Sequence, residues 1–378
     1  MYIAAKDEVL IGGLIFLNDW IIRSETSNAL GKIFVKNVKT NIEEEIKFVE
    51  EKVIVPGVSL MQRNKKTNLI HLGYSSPKTQ SRVYLYNLKT KEKKLVKEQE
   101  IPSGHNSKDY IVERLECKSH DGRIVPITIT RHKKTKIDGS ANLLLYGYGS
   151  YGNSMSPGFS STRLSLINRD IIWVTAHIRG GMERGMKWWK EGKLLNKKNT
   201  FEDYIAVAKF LIEKKYTSNK KIIGMGGSAG GLLMGVVINQ APELFLGIIM
   251  AVPFVDSLTT NLDHSLPLTV GEFEEFGNAE KNKEHFDYIY SYAPYNNIKK
   301  MDYPHMLITT SLSDNRVLFD EPAKFTAKLR DYKTDNNLLL LKTEMKAGHA
   351  GKTGRDSAIK EIAMDYVFAL KISEKLNT

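Results

Sequence analysis

Thiols are almost absent from the sequence, which has a single cysteine, Cys117, among its 378 residues. A lone cysteine excludes an internal disulfide framework and a cysteine-rich metal site. Scarce cysteine is typical of proteins from a reducing compartment, and on this basis we predict a cytoplasmic location.

Long apolar runs are missing as well. The N-terminal apolar stretch, residues 9–17, follows three charged residues, Lys6, Asp7 and Glu8. It is too short to span a bilayer, and it lacks the small-residue cleavage site of a secretory leader. We predict that this stretch forms a buried pair of strands, and we expect no membrane partner.

Motifs for cofactors and phosphate groups are also absent. The chain has no His-Glu-x-x-His metal motif and no dinucleotide-binding fingerprint with its acidic partner. Its glycine-rich segment around Ser228 lacks the Gly-Lys-Ser/Thr sequence of a phosphate-binding loop. We therefore expect no cofactor and no bound metal.

Acidic residues are outnumbered, since 55 lysines and arginines against 43 aspartates and glutamates give a formal net charge of +12. Such an excess can indicate affinity for nucleic acids or membranes. Here the lysines are scattered, without interleaved aromatic residues or a basic amphipathic helix. We interpret the charge as a solvated surface and predict no nucleic-acid partner.

What the sequence does contain is two regions with different periodicity. Up to about residue 130, short β-like runs such as 32–36 and 82–86 alternate with polar turns, which indicates antiparallel strands. From about residue 140, apolar runs that look buried on both faces, such as 142–146 and 171–175, alternate with helical patterns. This alternation predicts an α/β fold with a doubly wound, mostly parallel sheet. We place the two domains at residues 1–115 and 116–378.

The segment 226–230 fits the G-x-S-x-G pattern of a nucleophile elbow. It follows a strand-like run at 222–223 and precedes a helix-like run at 232–239. The glycines leave room for a sharp turn that lifts the Ser228 hydroxyl above the sheet. The backbone N–H of Ala229 would then face a carbonyl under attack. A tight structural turn is the alternative interpretation.

A serine hydroxyl needs a base to take its proton, and α/β-hydrolases order their triad along the chain as Ser, Asp or Glu, then His. Downstream of Ser228, Asp314 follows an apolar strand, and His349 lies in a glycine-rich loop after another. Both positions are at strand C-terminal ends, where open α/β sheets place their ligands. Three other histidines, at positions 264, 285 and 305, lack such a loop.

Six motifs in register resemble the oligopeptidase B group of the prolyl oligopeptidase family. They are residues 145–152 (LYGYGSYG), 177–181 (HIRGG), 226–235 (GGSAGGLLMG), 252–256 (VPFVD), 271–277 (GEFEEFG) and 321–325 (EPAKF). The resemblance implies a serine peptidase that cleaves short peptides after Arg or Lys, with an α/β-hydrolase domain behind a β-propeller. Ser228 would be the nucleophile, His349 the general base and Asp314 its orienting carboxylate.

The resemblance also implies roles in substrate binding. The hydroxyl of Tyr148 would join the Ala229 N–H in an oxyanion hole, unless it is a core tyrosine. Glu272 and Glu274 would form an acidic pair for the basic residue before the cut, although an exposed acidic loop fits the same residues. Arg316 would bind a substrate carbonyl, or else pair with Asp314 or stay a surface charge.

Two features depart from the family. Ser156 and Gly158 stand where members often carry two aspartates, so a preference for dibasic sites is not expected. Members are also nearly twice as long and have a seven-bladed propeller, whereas the residues before the hydrolase pattern suffice for about two blades of roughly 40–45 residues. We therefore expect a partial propeller, with the missing blades on a separate chain as one possibility. The alternatives are an inactive truncated fragment and a carboxylesterase of the same fold.

Overall fold

The computed structural model describes residues 3–48, 51–60 and 64–376. The described residues form two small antiparallel sheets, followed by one eight-stranded sheet with helices on both faces. The architecture is that of an α/β-hydrolase domain preceded by two sheets that are consistent with a partial propeller.

The two small sheets have four strands each, paired in chain order. The first contains β1 (Val9–Phe16), β2 (Trp20–Ser27), β3 (Leu30–Asn37) and β4 (Glu43–Glu45). The second contains β5 (Val55–Ser59), β6 (Leu69–Ser75), β7 (Arg82–Asn87) and β8 (Lys93–Glu98). Alternate residues of β2, β3 and β6, including Ile22, Ile33 and Ile70, point into one shared apolar core. Burial on one face is the expected pattern for antiparallel strands.

The prediction for residues 9–17 was wrong in one respect. This stretch contains one strand, β1, and not a buried pair, and much of β1 is exposed. The register of β1 against β2 shifts between Ile11 and Leu14, so Gly12 and Gly13 form an irregularity within the strand and not a hairpin turn. Glycines inside a strand often mark such a bulge.

The large sheet contains the remaining strands. These are β9 (Tyr110–Lys118), β10 (Ile124–His132), β11 (Asn142–Tyr146), β12 (Ile171–Ala176), β13 (Ile222–Gly227), β14 (Phe245–Ala251), β15 (His305–Ser311) and β16 (Leu339–Glu344). Their order is β16-β15-β14-β13-β11-β12-β10-β9. All neighbours from β16 to β12 are parallel, and β10 and β9 are antiparallel. Because β9 begins at Tyr110, residues 110–115 belong to this sheet rather than to the N-terminal part.

Helices cover both faces of the large sheet. They are α1 (Leu164–Ile167), α2 (Gly185–Lys190), α3 (Lys198–Glu213), α4 (Ala229–Gln240), α5 (Ser257–Leu262), α6 (Thr269–Phe276), α7 (Lys283–Tyr290), α8 (Asp320–Tyr332) and α9 (Arg355–Ile372). Short 3-10 turns occupy Ser107–Asp109, Leu194–Asn196 and Pro242–Leu244. Within the described ranges, no helix is both long and apolar enough to cross a membrane.

The central strands are buried on both sides. Leu143 and Leu145 of β11 belong to the core beneath α3 and α4, whereas Leu144 belongs to the core beneath α1 and α9. Successive side chains of a strand point to opposite faces, so a strand between two helix layers must be apolar throughout. This packing explains the largely apolar runs of the sequence. The parallel pairing places the C-terminal ends of β13 to β16 along one edge.

Candidate active site

Ser228 lies in a sharp turn between β13 and α4. Its backbone has φ +56° and ψ −120°, a conformation that non-glycine residues seldom adopt. A Cβ atom on Gly226 would come within 2.3 Å of the carbonyl oxygen of Gly230, so the two glycines allow the turn to close. Backbone strain of this kind is typical of functional positions, and the turn has the geometry predicted for a nucleophile elbow.

The elbow is fastened to the neighbouring strand. The N–H of Ser228 donates to the carbonyl of Ala251 at the end of β14, and the N–H of Phe254 donates to the carbonyl of Ser228. Ala229 is the first residue of α4, where backbone N–H groups have no acceptor within the helix. Its N–H is therefore a free donor at the positive end of the helix dipole, next to the serine.

Asp314 and His349 are brought together from loops after β15 and β16. Nδ1 of His349 lies 2.7 Å from Oδ2 of Asp314, whose side chain is fully buried. The other carboxylate oxygen, Oδ1, accepts the backbone N–H groups of Arg316 at 2.9 Å and Val317 at 3.0 Å. The carboxylate is thus fixed on both oxygens, and it orients the imidazole.

The loops that carry these two side chains are joined to each other. The N–H of Ser313 donates to the carbonyl of Ala347, and the N–H of Lys352 donates to Glu361 on α9. His349 also lines a cavity together with Ala251, the residue whose carbonyl binds the Ser228 N–H. The imidazole therefore lies at the same edge of the sheet as the elbow. Within the described chain, the Ser228 hydroxyl makes no hydrogen bond to His349.

Tyr148 lies next to the elbow. The tyrosine ring packs against Gly230, because a Cβ atom added to this glycine would lie 3.2 Å from Cδ2 of Tyr148. Burial raises the pKa of the Tyr148 phenol, with a smaller contribution from the carboxylates of Glu272 and Glu275. The hydroxyl therefore remains protonated at neutral pH and can act as a hydrogen-bond donor.

Glu272 and Glu274, the residues of the predicted acidic pair, have different surroundings. Both residues lie on α6, where positions two apart are about 200° apart around the helix axis and face different directions. Glu274 is exposed, whereas Oε1 of Glu272 accepts a 2.8 Å hydrogen bond from the hydroxyl of Tyr151. Burial raises the pKa of Glu272, the Tyr151 hydrogen bond opposes this rise, and Glu275 adds to it.

The second carboxylate near Glu272 is Glu275, three positions further along α6. Glu275 is only 3% exposed. Its Oε1 accepts the backbone N–H of Tyr151 at 2.9 Å, and its Oε2 accepts the indole N–H of Trp189 at 2.8 Å. Residues three apart share a helix face. Sequence reasoning missed Glu275, although treating residues 271–277 as a helix would have indicated it.

Arg316 contacts Asp314 only through its backbone N–H. Its side chain is exposed, and the ion pairs of the described residues do not include one between Arg316 and Asp314. The guanidinium is therefore free to meet a ligand near His349. No group of three or more metal-ligating side chains occurs in residues 3–48, 51–60 and 64–376.

Comparisons with known proteins identify the family of the chain. Residues 157–375 match the family model described as the prolyl oligopeptidase family. Dipeptidyl aminopeptidase BI of Pseudoxanthomonas mexicana is 40% identical over 98% of this chain and 50% of its own length. Protease 2 of Moraxella lacunata is 46% identical over 82% of this chain and 45% of its own length.

Solved structures give the same result. Oligopeptidase B from Trypanosoma brucei with covalently bound antipain has a TM-score of 0.93 and 37% identity, over 98% of this chain and 53% of that one. Oligopeptidase B from Leishmania major has a TM-score of 0.92 and 34% identity over the same shares. The chain thus spans about half the length of the relatives it matches. It belongs to the prolyl oligopeptidase family, and among the relatives described here it is similar to oligopeptidase B and protease 2.

Proposed function

We propose that this chain carries the catalytic domain of a serine oligopeptidase that hydrolyses short peptides after Arg or Lys. The observation that carries the proposal is the 2.7 Å contact between His349 and the buried Asp314, at the sheet edge where Ser228 occupies its elbow. A serine, a buried carboxylate and an imidazole in this chain order are the components of a hydrolase triad.

In the proposed reaction, Oγ of Ser228 attacks the scissile carbonyl carbon while its proton passes to Nε2 of His349. Asp314 keeps the Nδ1 proton of His349 in place and stabilises the imidazolium. The tetrahedral intermediate collapses to an acyl-enzyme, and His349 returns the proton to the departing amine. Water, deprotonated by the same imidazole, then releases the acid. Catalytic hydrogen bonds are often longer in ligand-free proteins, so Ser228 and His349 need approach only when substrate binds.

The oxyanion would be held by two donors next to the elbow. The Ala229 N–H supplies the positive end of α4, and the half-buried Tyr148 supplies its hydroxyl. We propose that the exposed guanidinium of Arg316 binds a backbone carbonyl of the peptide. It lies two residues from Asp314 and therefore near the base.

Specificity for a basic residue is proposed to come from Glu272. Its carboxylate accepts the Tyr151 hydroxyl, and burial raises its pKa. None of the ion pairs among the described residues gives Glu272 a cationic partner. An entering guanidinium or ammonium group would supply that cation. Covalent antipain in the Trypanosoma brucei relative supports a covalent intermediate for the present chain.

A fluorophosphonate probe tests the nucleophile, because it labels only an activated serine. Labelling of the original chain but not of the Ser228→Ala variant is the expected result. A panel of arginyl, lysyl, prolyl, dipeptidyl and simple ester substrates then tests specificity, with the dipeptidyl substrates included because of the Pseudoxanthomonas relative's name. Turnover of esters alone would favour a carboxylesterase, and absence of labelling would favour an inactive fragment.

We also propose that further propeller blades, on a companion chain, complete the N-terminal part. The outer strand β8 is exposed along its whole length, including the apolar side chains of Leu95 and Val96. An open edge of this kind is suited to pairing with another strand. Mixing the chain with the product of a neighbouring reading frame should give a stable one-to-one complex in sedimentation experiments. The cytoplasmic location and the absence of nucleic-acid and membrane partners stay predictions from composition.

A further inference from the structure

A fully buried lysine connects the two halves of the proposed site. The ammonium Nζ of Lys197, which directly precedes α3, lies 2.6 Å from the carbonyl oxygen of Gly149 and 2.6 Å from Oγ of Ser150. It also lies 3.5 Å from Oε1 of Glu275, and only 1% of its side chain is exposed. A buried ammonium is costly unless it is paired and hydrogen-bonded, and Lys197 is both.

The acceptors of Lys197 belong to the segment that carries Tyr148. We call residues 148–151 the oxyanion arm. Lys197 contacts the arm at Gly149 and Ser150, and Glu275 accepts the backbone N–H of Tyr151 at the end of the arm. The ion pair therefore holds the arm at three successive residues, directly after the tyrosine proposed to donate to the oxyanion.

The same ion pair also fixes the helix that bears the specificity carboxylate. Glu275 lies on α6 one turn beyond Glu272, and the indole of Trp189 on α2 donates to its second oxygen. The hydroxyl of Tyr151 closes the arrangement by donating to Glu272. A shift of Lys197 or Glu275 would thus move the arm and α6 relative to each other.

We propose that Lys197 is a positioning residue which, through Glu275, holds the Tyr148 hydroxyl and the Glu272 carboxylate in one fixed arrangement. The inference rests on the proposed function, because Tyr148 and Glu272 take their roles from it. Replacing a buried ion pair by apolar side chains often costs little stability, so stability alone does not account for this pair. A need for fixed geometry accounts for the pair, because displacements of about 1 Å in an active site can lower the rate roughly 100-fold.

The pair has a measurable signature in pH. Burial lowers the pKa of Lys197 to about 8, and Glu275 opposes this fall. Above that pH the amine loses its proton, and the charge pairing between Lys197 and Glu275 is lost. Tyr292, which is also buried near Glu275, does not titrate in this window because its pKa lies well above the ordinary range. Positioning by Lys197 should therefore weaken as the pH rises through 8.

The first test is Lys197→Met in the full chain. We expect kcat/KM on arginyl substrates to fall about 10- to 100-fold, mostly through kcat. We also expect the decrease in kcat/KM that begins near pH 8, the alkaline limb of its pH profile, to disappear. Lys209→Met, the same change at an exposed position of α3, is the matched control. It should leave kcat/KM and its pH profile unchanged. A Lys197→Met enzyme with a lowered melting temperature but unchanged kcat, KM and pH profile would reduce Lys197 to a structural residue.

A second variant keeps the proposal testable if Lys197→Met does not fold. Glu275→Gln removes the group that raises the Lys197 pKa, so the alkaline limb should move to lower pH. An unmoved limb would overturn the proposal.

The coupling can also be followed without catalysis, because the Trp189 indole N–H contacts Glu275. Its NMR signal should shift with a midpoint near pH 8, and the shift should vanish in Lys197→Met; a signal indifferent to pH in this range would overturn the inference. A chain that shows the shift but is not labelled by fluorophosphonate would refute the proposed peptidase and leave the Lys197–Glu275 coupling intact.

Discussion

The hydroxyl of Tyr151 donates a 2.8 Å hydrogen bond to Oε1 of Glu272, whereas Glu274, on the same helix, is exposed and has no such partner among the described residues. This difference predicts unequal effects from two matched substitutions. Glu272→Gln should lower kcat/KM on arginyl substrates about 100-fold or more, because a guanidinium left buried without an anion costs several kcal/mol. Glu274→Gln should have an effect of less than about 3-fold, as expected for an exposed charge.

Neutral substrates provide the control for this prediction. Their turnover should change little in Glu272→Gln, since they bring no cation that needs the carboxylate. Equal losses in the two variants, or an equal loss for arginyl and neutral substrates in Glu272→Gln, would contradict the assignment of Glu272 as the specificity residue.

The contact between Asp314 and His349 predicts the effect of changing the carboxylate to an amide. In Asp314→Asn, the amide can donate to Nδ1 of His349 and so favour the tautomer with the proton on Nε2, which cannot accept the Ser228 proton. We expect kcat to fall about 10³- to 10⁴-fold with little change in KM. Steady-state kinetics on an arginyl substrate measure this. A loss below about 10-fold would contradict a triad role for Asp314.

The strands of the large sheet were predictable because their burial imposes a simple pattern. Residues 143–145 and 171–174 are apolar throughout, and they fall in β11 and β12, which have helices on both faces. The positions of Asp314 and His349 were predictable for a related reason. Parallel strands end at the same sheet edge, so residues just after β15 and β16 must lie near each other.

Other features depend on contacts that a single sequence does not reveal. Lys197 and Glu275 are 78 positions apart, and nothing local marks them as a pair. The α6 helix has a glycine near its start, so residues 271–277 also fitted an exposed loop, and the sequence did not single out Glu275. In both cases tertiary packing determined the outcome, and local propensity did not.

The elbow glycines predict opposite effects of one substitution at two sites. Gly226→Ala would place a Cβ atom 2.3 Å from the carbonyl oxygen of Gly230, so the elbow must deform. We expect a loss of about 1–3 kcal/mol in the free energy of unfolding. In Gly271→Ala the new Cβ meets nothing within 4 Å, and the exposed helix position should gain about 0.5–1 kcal/mol. Urea denaturation compares them, and equal effects would contradict the packing described.

A pH-dependent prediction follows from Asp365 on α9. This half-buried carboxyl lines the cavity behind His349, and burial raises its pKa to about 7, while Lys342 opposes the rise and Glu361 adds to it. The pKa is therefore higher in the folded than in the unfolded chain. Between about pH 4 and pH 7 the folded state binds more protons, so this group makes stability fall as the pH increases through that window.

Asp365→Asn should remove this dependence, because the amide does not ionise. The difference in unfolding free energy between the variant and the original chain should increase with pH by at most about 1.4 kcal/mol per unit, and level off above pH 7. Thermal or urea unfolding at several pH values measures it, with Asp331→Asn at an exposed position of α8 as the control for the substitution itself. A difference that stays constant from pH 4 to pH 8 would show that Asp365 ionises in the folded protein as readily as in the unfolded chain.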